Sequence, residues 1–309
     1  MEKKGKIITA AGAGAAAVAL GVLALTLGRG RDTVPTPNEI IMTTTEAPTE
    51  ISYEIPSDWE KKYGYVPSEE GYTPRTMSLL RYNKDIAGWL SLDNTVIHNP
   101  IVLDPGDIKA GDPFYGPAGY GSNEYYLDHD LYRNQVFYGT VFADYRNVFG
   151  SDESEHTENL ILYGHAMYDG TMMGDLRKYH LNSAFYGSNA FIKVSSNYRD
   201  YDYVIFSYLV TPGNYDDTDF HYWNMEQIDN EEDFNFYIDQ CRKKQMLDTG
   251  VDMRFGDKLL TLSTCYNDDD NTRFIVVARL LREGEVAGDL STVQHTEAYN
   301  KAHEEKPAE

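Results

Sequence analysis

The sequence predicts a mostly β domain, a barrel or a sandwich, standing behind an N-terminal membrane anchor. Three observations carry that expectation. Between residues 58 and 283 the chain runs as short apolar stretches broken by turn residues, the pattern of many short strands. Only two segments in that region carry helical periodicity. Ahead of it, residues 7–28 form 22 consecutive positions without a charge.

Taken in order, the uncharged run comes first. At about 1.5 Å per helical residue it spans roughly 33 Å, enough for a hydrocarbon layer of about 30 Å. Lys3, Lys4 and Lys6 precede it and Arg29 and Arg31 follow, which favours the amino terminus in the cytoplasm. A cleaved signal peptide is the alternative, but the run is longer than the usual apolar region of about 7–15 residues. Residues 1–31 are therefore expected to be an uncleaved signal-anchor, a single-pass transmembrane helix; either reading exports the rest of the chain. Residues 32–57 follow as a spacer, since positions 33–56 hold six Thr and four Pro and cannot bury enough surface to fold.

Candidate strands in the domain, residues 58–283, are 88–92, 95–98, 101–103, 139–142, 159–163, 190–195, 201–211, 258–263 and 273–281. A first helix is expected over 75–84, with Met77, Leu79 and Leu80 near one face. A second, over 230–244, is better signposted. Asn230 can cap it, three acids fill its first turn, and Arg242, Lys243 and Lys244 fill its last. Residues 284–309 are polar and acidic without a long apolar period, and are expected to fray.

The formal charge is −22, from 27 basic and 49 acidic side chains. Locally it sums to +4 over residues 1–31, −7 over 32–60, −14 over 61–282 and −5 over 283–309, so much of it serves solvation of the flanks. A chain this acidic disfavours binding duplex DNA or any other nucleic acid through a basic surface. Two cysteines cannot make a disulfide scaffold or a Cys₄ zinc site, and neither H-E-x-x-H nor C-x-x-C occurs. The acids and amides of residues 267–271 are packed consecutively, not at the alternate positions a calcium loop needs, and read as a solvated loop. No metal or cofactor is expected.

If one cysteine matters, it matters as a thiol. Phe234, Ile238 and Cys241 fall at i, i+4, i+7 of the second helix, so Cys241 reads as core. Cys265 follows the strand Leu259-Leu260-Thr261-Leu262-Ser263-Thr264 and precedes a polar loop, beyond which a strand opens at Arg273. If those strands pair, Cys265 and Arg273 share one end of a hairpin, where a guanidinium favours a thiolate and can donate to a developing oxyanion. Among eight histidines, His165 follows the strand over 159–163 through Gly164, which lets other groups approach closely. His129, between Asp128 and Asp130, is its rival and reads equally well as a solvated turn.

The combination Thr261-Leu262-Ser263-Thr264-Cys265, Arg273 in the next strand and Tyr163-Gly164-His165-Ala166-Met167 upstream resembles the sortases. More narrowly it resembles class B, through Asp85-Ile86-Ala87-Gly88-Trp89-Leu90 and Gly139-Thr140-Val141-Phe142-Ala143-Asp144-Tyr145-Arg146-Asn147. The resemblance covers about residues 75–282. It implies a closed, mostly antiparallel eight-stranded β-barrel with peripheral helices, the helix over 230–244 being the class B insertion.

The resemblance also implies a cysteine transpeptidase of the Gram-positive surface. Such an enzyme cuts a C-terminal sorting signal of secreted proteins (an N/S-P-x-T-G/N-like motif) after Thr. It holds the acyl group as a thioester and passes it to an amine, that of lipid II or the peptidoglycan cross-bridge, which anchors the protein to the wall. Residue by residue, Cys265 is then the nucleophile, His165 the general acid/base and Arg273 the oxyanion donor. By the same resemblance Asn123, Leu127, Thr211, Tyr215 and Ser263 line the sorting-signal groove, while Tyr266 stands where some relatives carry an acid. Polymerisation of pilin subunits, or a binding protein on the same barrel, are the alternatives; a binding module has no use for all three catalytic residues.

Overall fold

In the computed structural model, which describes residues 71–103, 123–267 and 271–304, the barrel reading holds and the sandwich does not. Eight strands form: β1 (Ile86–Ser91), β2 (His98–Val102), β3 (Phe142–Ala143), β4 (Asn159–Tyr163), β5 (Phe191–Ser196), β6 (Asp200–Pro212), β7 (Leu259–Asn267) and β8 (Thr272–Leu280). They close in the order β1-β2-β3-β4-β7-β8-β6-β5. Pairing is antiparallel except for β2 with β3 and β4 with β7. Closure leaves no open sheet edge to template association.

Alternation along β7 and β8 builds two cores from one pair of strands. Leu260, Leu262, Val276 and Ala278 point inward with Leu160 and Leu162 of β4. Leu259, Ile275 and Val277 point outward and are covered by the long helix, through Phe234, Tyr237, Ile238 and Cys241.

Five α-helices lie around the barrel among the described residues: α1 (Pro74–Leu80), α2 (Arg177–Leu181), α3 (Phe185–Ser188), α4 (Glu231–Lys244) and α5 (Glu297–Glu304). Helix α4 falls between β6 and β7, as the resemblance implies. Its start is fixed by Asn230, whose Oδ1 accepts from the Asp233 N–H at 2.9 Å, and Cys241 is fully buried on its inner face. Helix α1 is shorter than expected; Thr73 caps it, and it ends before Asn83, whose Oδ1 accepts from the Asp85 N–H at 2.9 Å to turn the chain into β1.

Three expectations need correction. The stretches over 95–98 and 101–103 are one strand, β2. Asn94 takes φ +55°, and the Thr95 hydroxyl donates to the Leu92 carbonyl at 2.7 Å and accepts from the Ile97 N–H at 3.0 Å, so this segment is a tight turn. The strand expected over 139–142 starts only at Phe142. Gly139 has φ +56°, and a Cβ there would overlap the Tyr126 and Leu127 carbonyl oxygens.

The tail is not frayed as far as it is described. Val293 is buried in the α4-side core, Val251 and His295 form an antiparallel bridge, and α5 follows. The folded region therefore extends beyond 283, to at least 304. Its anchorage is mostly polar, which is why apolar periodicity does not reveal it.

The expected anchor (1–31) and spacer (32–57) lie outside the described residues, as do positions 268–270 of the polar loop. Among the described residues no helix is long and apolar enough to cross a membrane.

Candidate active site

Cys265 and His165 are 100 residues apart, and the β4–β7 pairing brings their strands together. The two run parallel in register, Tyr163 beside Ser263. Two residues further along come His165, just beyond the end of β4, and Cys265, still within β7. The strand ends are tied by the Gly164 N–H donating to the Ser263 carbonyl at 3.3 Å and the Thr264 hydroxyl donating to the Gly164 carbonyl at 2.6 Å. Gly164 suits a tight site, since a Cβ would lie 3.1 Å from Met173 Cγ and 3.3 Å from Val141 Cγ2 and press on both side chains.

Arg273 is directly opposite Cys265 in the β7–β8 ladder, and Thr211 is opposite Arg273 in the β6–β8 ladder. Cross-strand partners project from the same face, so these three side chains form one row. The ladder slips between Cys265 and Asn267, an irregularity that can re-aim the side chains beside it. Gly213 makes room for Arg273, because a Cβ there would lie 3.0 Å from the guanidinium carbon. Among the described residues no carboxylate is within 4.0 Å of Arg273, and its guanidinium donates to the Thr272 carbonyl at 3.3 Å.

The His165 ring is half-buried, stacked on Phe137 with centroids 6.0 Å apart, and its Nε2 is 2.8 Å from the Leu127 carbonyl. A carbonyl only accepts, so Nε2 carries the proton and Nδ1 is left to exchange one. The Leu127 carbonyl is itself held by its neighbours. The Tyr126 hydroxyl donates to the buried Asp85 at 2.5 Å and accepts from Asn83 at 2.8 Å, and Arg133 pairs with the same carboxylate. His129 instead sets its Nδ1 against Asp128 and the Tyr125 carbonyl and stacks on Tyr125; it sits in the turn carrying Leu127, in a structural role.

The other groove candidates fall into different environments. Thr211 is buried with its hydroxyl unpartnered. Tyr215 is 59% exposed, its hydroxyl accepting from Asn224. Leu127 is partly exposed beside His165. Asn123 is committed internally: its Nδ2 donates to Asp144 at 2.8 Å and its Oδ1 accepts from the Tyr145 N–H at 2.9 Å. Asp144 is fully buried, also bound by Tyr163 and Arg146. Ser263 is 2% exposed and its hydroxyl is 2.7 Å from that of Tyr222. The Ser263 hydroxyl is thus turned to Tyr222, itself 2% exposed, and not to the surface.

Tyr222 is the residue that motif reading misses. Burial pushes its phenol up to about 12, against lowering by the Ser263 hydrogen bond and the Arg273 charge, with Cys265 near enough to raise it further. It therefore remains a protonated donor in neutral solution, within electrostatic reach of both residues. Its signal in sequence is only an aromatic in a 3₁₀ turn (Tyr222–Asn224) ahead of α4.

A cleft of about 630 Å³ opens beside the thiol, lined by Cys265, His165, Phe137, Met167, Arg177 and Tyr266 among others. Arg273, Asn123, Leu127, Thr211, Tyr215 and Ser263 are not on that lining. Among the described residues no group of His, Cys, Asp and Glu could hold a metal ion. A soft nucleophile, an imidazole with one nitrogen committed, and a guanidinium across the ladder can form and break an acyl thioester.

The sequence and fold have relatives. A family model for the sortase domain matches residues 139–281. The chain is 30% identical over 205 residues to sortase B of Listeria monocytogenes, covering 66% of this chain and 72% of that one. It is 29% identical over 218 residues to sortase B of Staphylococcus aureus, covering 69% and 78%. A solved S. aureus sortase B–substrate complex superposes with a TM-score of 0.56 at 27% identity, covering 70% of this chain and 88% of that one.

Proposed function

The chain belongs to the sortase family, class B, and is a cysteine transpeptidase; from that premise we propose that it anchors secreted proteins to the cell wall. On this reading it binds a C-terminal sorting signal of N/S-P-x-T-G/N type and cuts after Thr. The acyl group then passes to an amine of lipid II or the peptidoglycan cross-bridge. The observation that carries the reading is the convergence of His165, Cys265 and Arg273 at one barrel rim, from three neighbouring strands. The uncharged run of residues 7–28 supports attachment to the cell membrane with the domain outside.

The chemistry proceeds in two halves. As Cys265 Sγ attacks the Thr carbonyl carbon its thiol proton passes to His165 Nδ1, and Arg273 donates to the oxygen as it takes up charge. His165 Nδ1 gives a proton to the leaving amine and the thioester remains on Cys265. In the second half the incoming amine attacks the thioester, its proton goes to His165, and the thiol is released. The Leu127 carbonyl matters throughout, because it keeps Nε2–H donating and so orients Nδ1. Thr211, buried with an unpartnered hydroxyl next to Arg273, could serve the signal only if binding opened a path to it.

A fluorogenic peptide carrying the motif tests the reading. Wild-type protein should cleave it, and added amine should divert product from acid to amide. Arg273→Lys should lose most activity, since a point charge lacks the planar fork. Cleavage whose product stays entirely acid with every amine would overturn transfer.

A further inference from the structure

We infer that the cleft beside His165 is the acceptor subsite and that Arg177 selects an aliphatic amine whose chain ends in a free carboxylate. This rests on the transpeptidase reading above and adds to it the chemical class of the second substrate. Cys265 is flanked by two different environments. On one side the ladder sets Arg273 opposite it, with Thr211 next in the row. On the other is the cleft, which Cys265 lines and Arg273 and Thr211 do not. An acyl thioester occupied from the first side leaves the second for the attacking amine.

The charge of that cleft is anomalous for this protein. Among the described residues its lining includes Arg177 but no Asp or Glu, in a chain with 49 acids and a formal charge of −22. The Arg177 guanidinium opposes a bare ammonium group and favours a ligand that brings its own anion.

Arg177 is the strongest point of that field. It is half-buried at the start of α2, and one nitrogen donates to the Tyr168 carbonyl, which fixes the guanidinium. Arg133, Arg146, Arg279 and Arg282 all have carboxylate partners. Among the described residues Arg177 has none within 4.0 Å. The neighbouring acids have closer partners: Asp169, within electrostatic reach of Arg177, accepts from the Thr171 N–H at 3.0 Å and hydroxyl at 2.6 Å, and Asp175 pairs with Lys178 at 2.7 Å. A guanidinium with one of five donor hydrogens committed retains the fork that binds a carboxylate at two points.

The rest of the cleft suits a hydrocarbon arm between the two ends. Phe137 covers His165, and Tyr266 is held to α2 by its hydroxyl, 3.0 Å from His180 Nε2. The amine would meet His165 and the thioester, and the carboxylate would meet Arg177.

The test partitions the acyl-enzyme, formed from a sorting-signal peptide, between water and matched amines. 6-Aminohexanoate is compared with 6-aminohexanamide, and 4-aminobutyrate with its amide, the amide and acid products being counted by mass spectrometry. Wild-type protein should favour the carboxylate member of at least one pair by roughly 10- to 100-fold, the range expected for a charge-assisted hydrogen-bonded pair. Arg177→Met should abolish the preference and Arg177→Lys should retain part of it, each referred to thioester hydrolysis by the same variant. Equal use of both members by the wild type, or a preference surviving in Arg177→Met, would overturn the inference alone. Hydrolysis with no amide product from any amine would overturn transfer itself, and the inference with it.

Discussion

Replacing Glu285 with Gln should remove much of the domain's stability, although the residue lies beyond the last barrel strand. Arg279 is fully buried, and Glu285 meets it with both oxygens, at 2.6 and 2.7 Å. The same carboxylate accepts from the Arg282 and Gln294 N–H groups, each at 2.8 Å. Burial alone would raise this carboxyl; the Arg279 guanidinium and the two N–H groups outweigh it and hold it down, from an ordinary 4.5 to about 2. At about 1.36 kcal/mol per pH unit that depression corresponds to roughly 3 kcal/mol. Breaking a buried pair and stranding one charge costs about 3–5 kcal/mol, so two routes give the same size.

The sign follows from the depressed folded-state value. The contribution is fully present above the unfolded value near 4.5 and is lost as pH falls toward about 2. Urea unfolding of wild type and Glu285→Gln at several pH values measures it. The gap should be about 3 kcal/mol at pH 7 and shrink between pH 4.5 and 2. A gap below about 1 kcal/mol, the size of an exposed pair, or one independent of pH, would refute the reasoning.

Three further outcomes are expected. Tyr222→Phe should cost about 1–2 kcal/mol by leaving the buried Ser263 hydroxyl without its partner, and a double-mutant cycle with Ser263→Ala should show coupling near 1 kcal/mol; additive effects would dissolve the pair. Burial pushes the His156 imidazole down to about 4, so stability should fall as pH drops through 6.5 toward 4, by roughly 3 kcal/mol in all; His156→Gln should flatten that slope, and an unchanged slope would contradict it. Cys241→Ala should leave peptide cleavage near wild type while costing about 1 kcal/mol in unfolding, and an inactive variant would contradict the core assignment.

Where the sequence was legible, the signal was local. The Asn230 cap, acidic first turn and basic last turn of α4 are short-range chemistry, and the helix forms at the expected residues. The Cys265–Arg273 pair is legible because a hairpin register needs only two strands and a loop. What stayed hidden depends on distant contacts. The Leu127 carbonyl that orients His165 is 38 positions away and offers no side-chain signature. Tyr222 meets Ser263 across 41 positions. Turn chemistry at Asn94 and Gly139 overrode apolar runs that read as strand. Residues 284–304 read as a loose polar tail because what fastens them is a carboxylate on a buried arginine, not an apolar stripe.

The central claim is that Cys265 carries the acyl group, and peptide-mapping mass spectrometry of protein quenched during turnover of a sorting-signal peptide tests it most directly. The account predicts an adduct of the signal's N-terminal fragment, ending in Thr, on the peptide containing Cys265. It should persist in Cys241→Ala and be absent in Cys265→Ala, which should also lose cleavage. An adduct on Cys241, or continued turnover by Cys265→Ala, would contradict it.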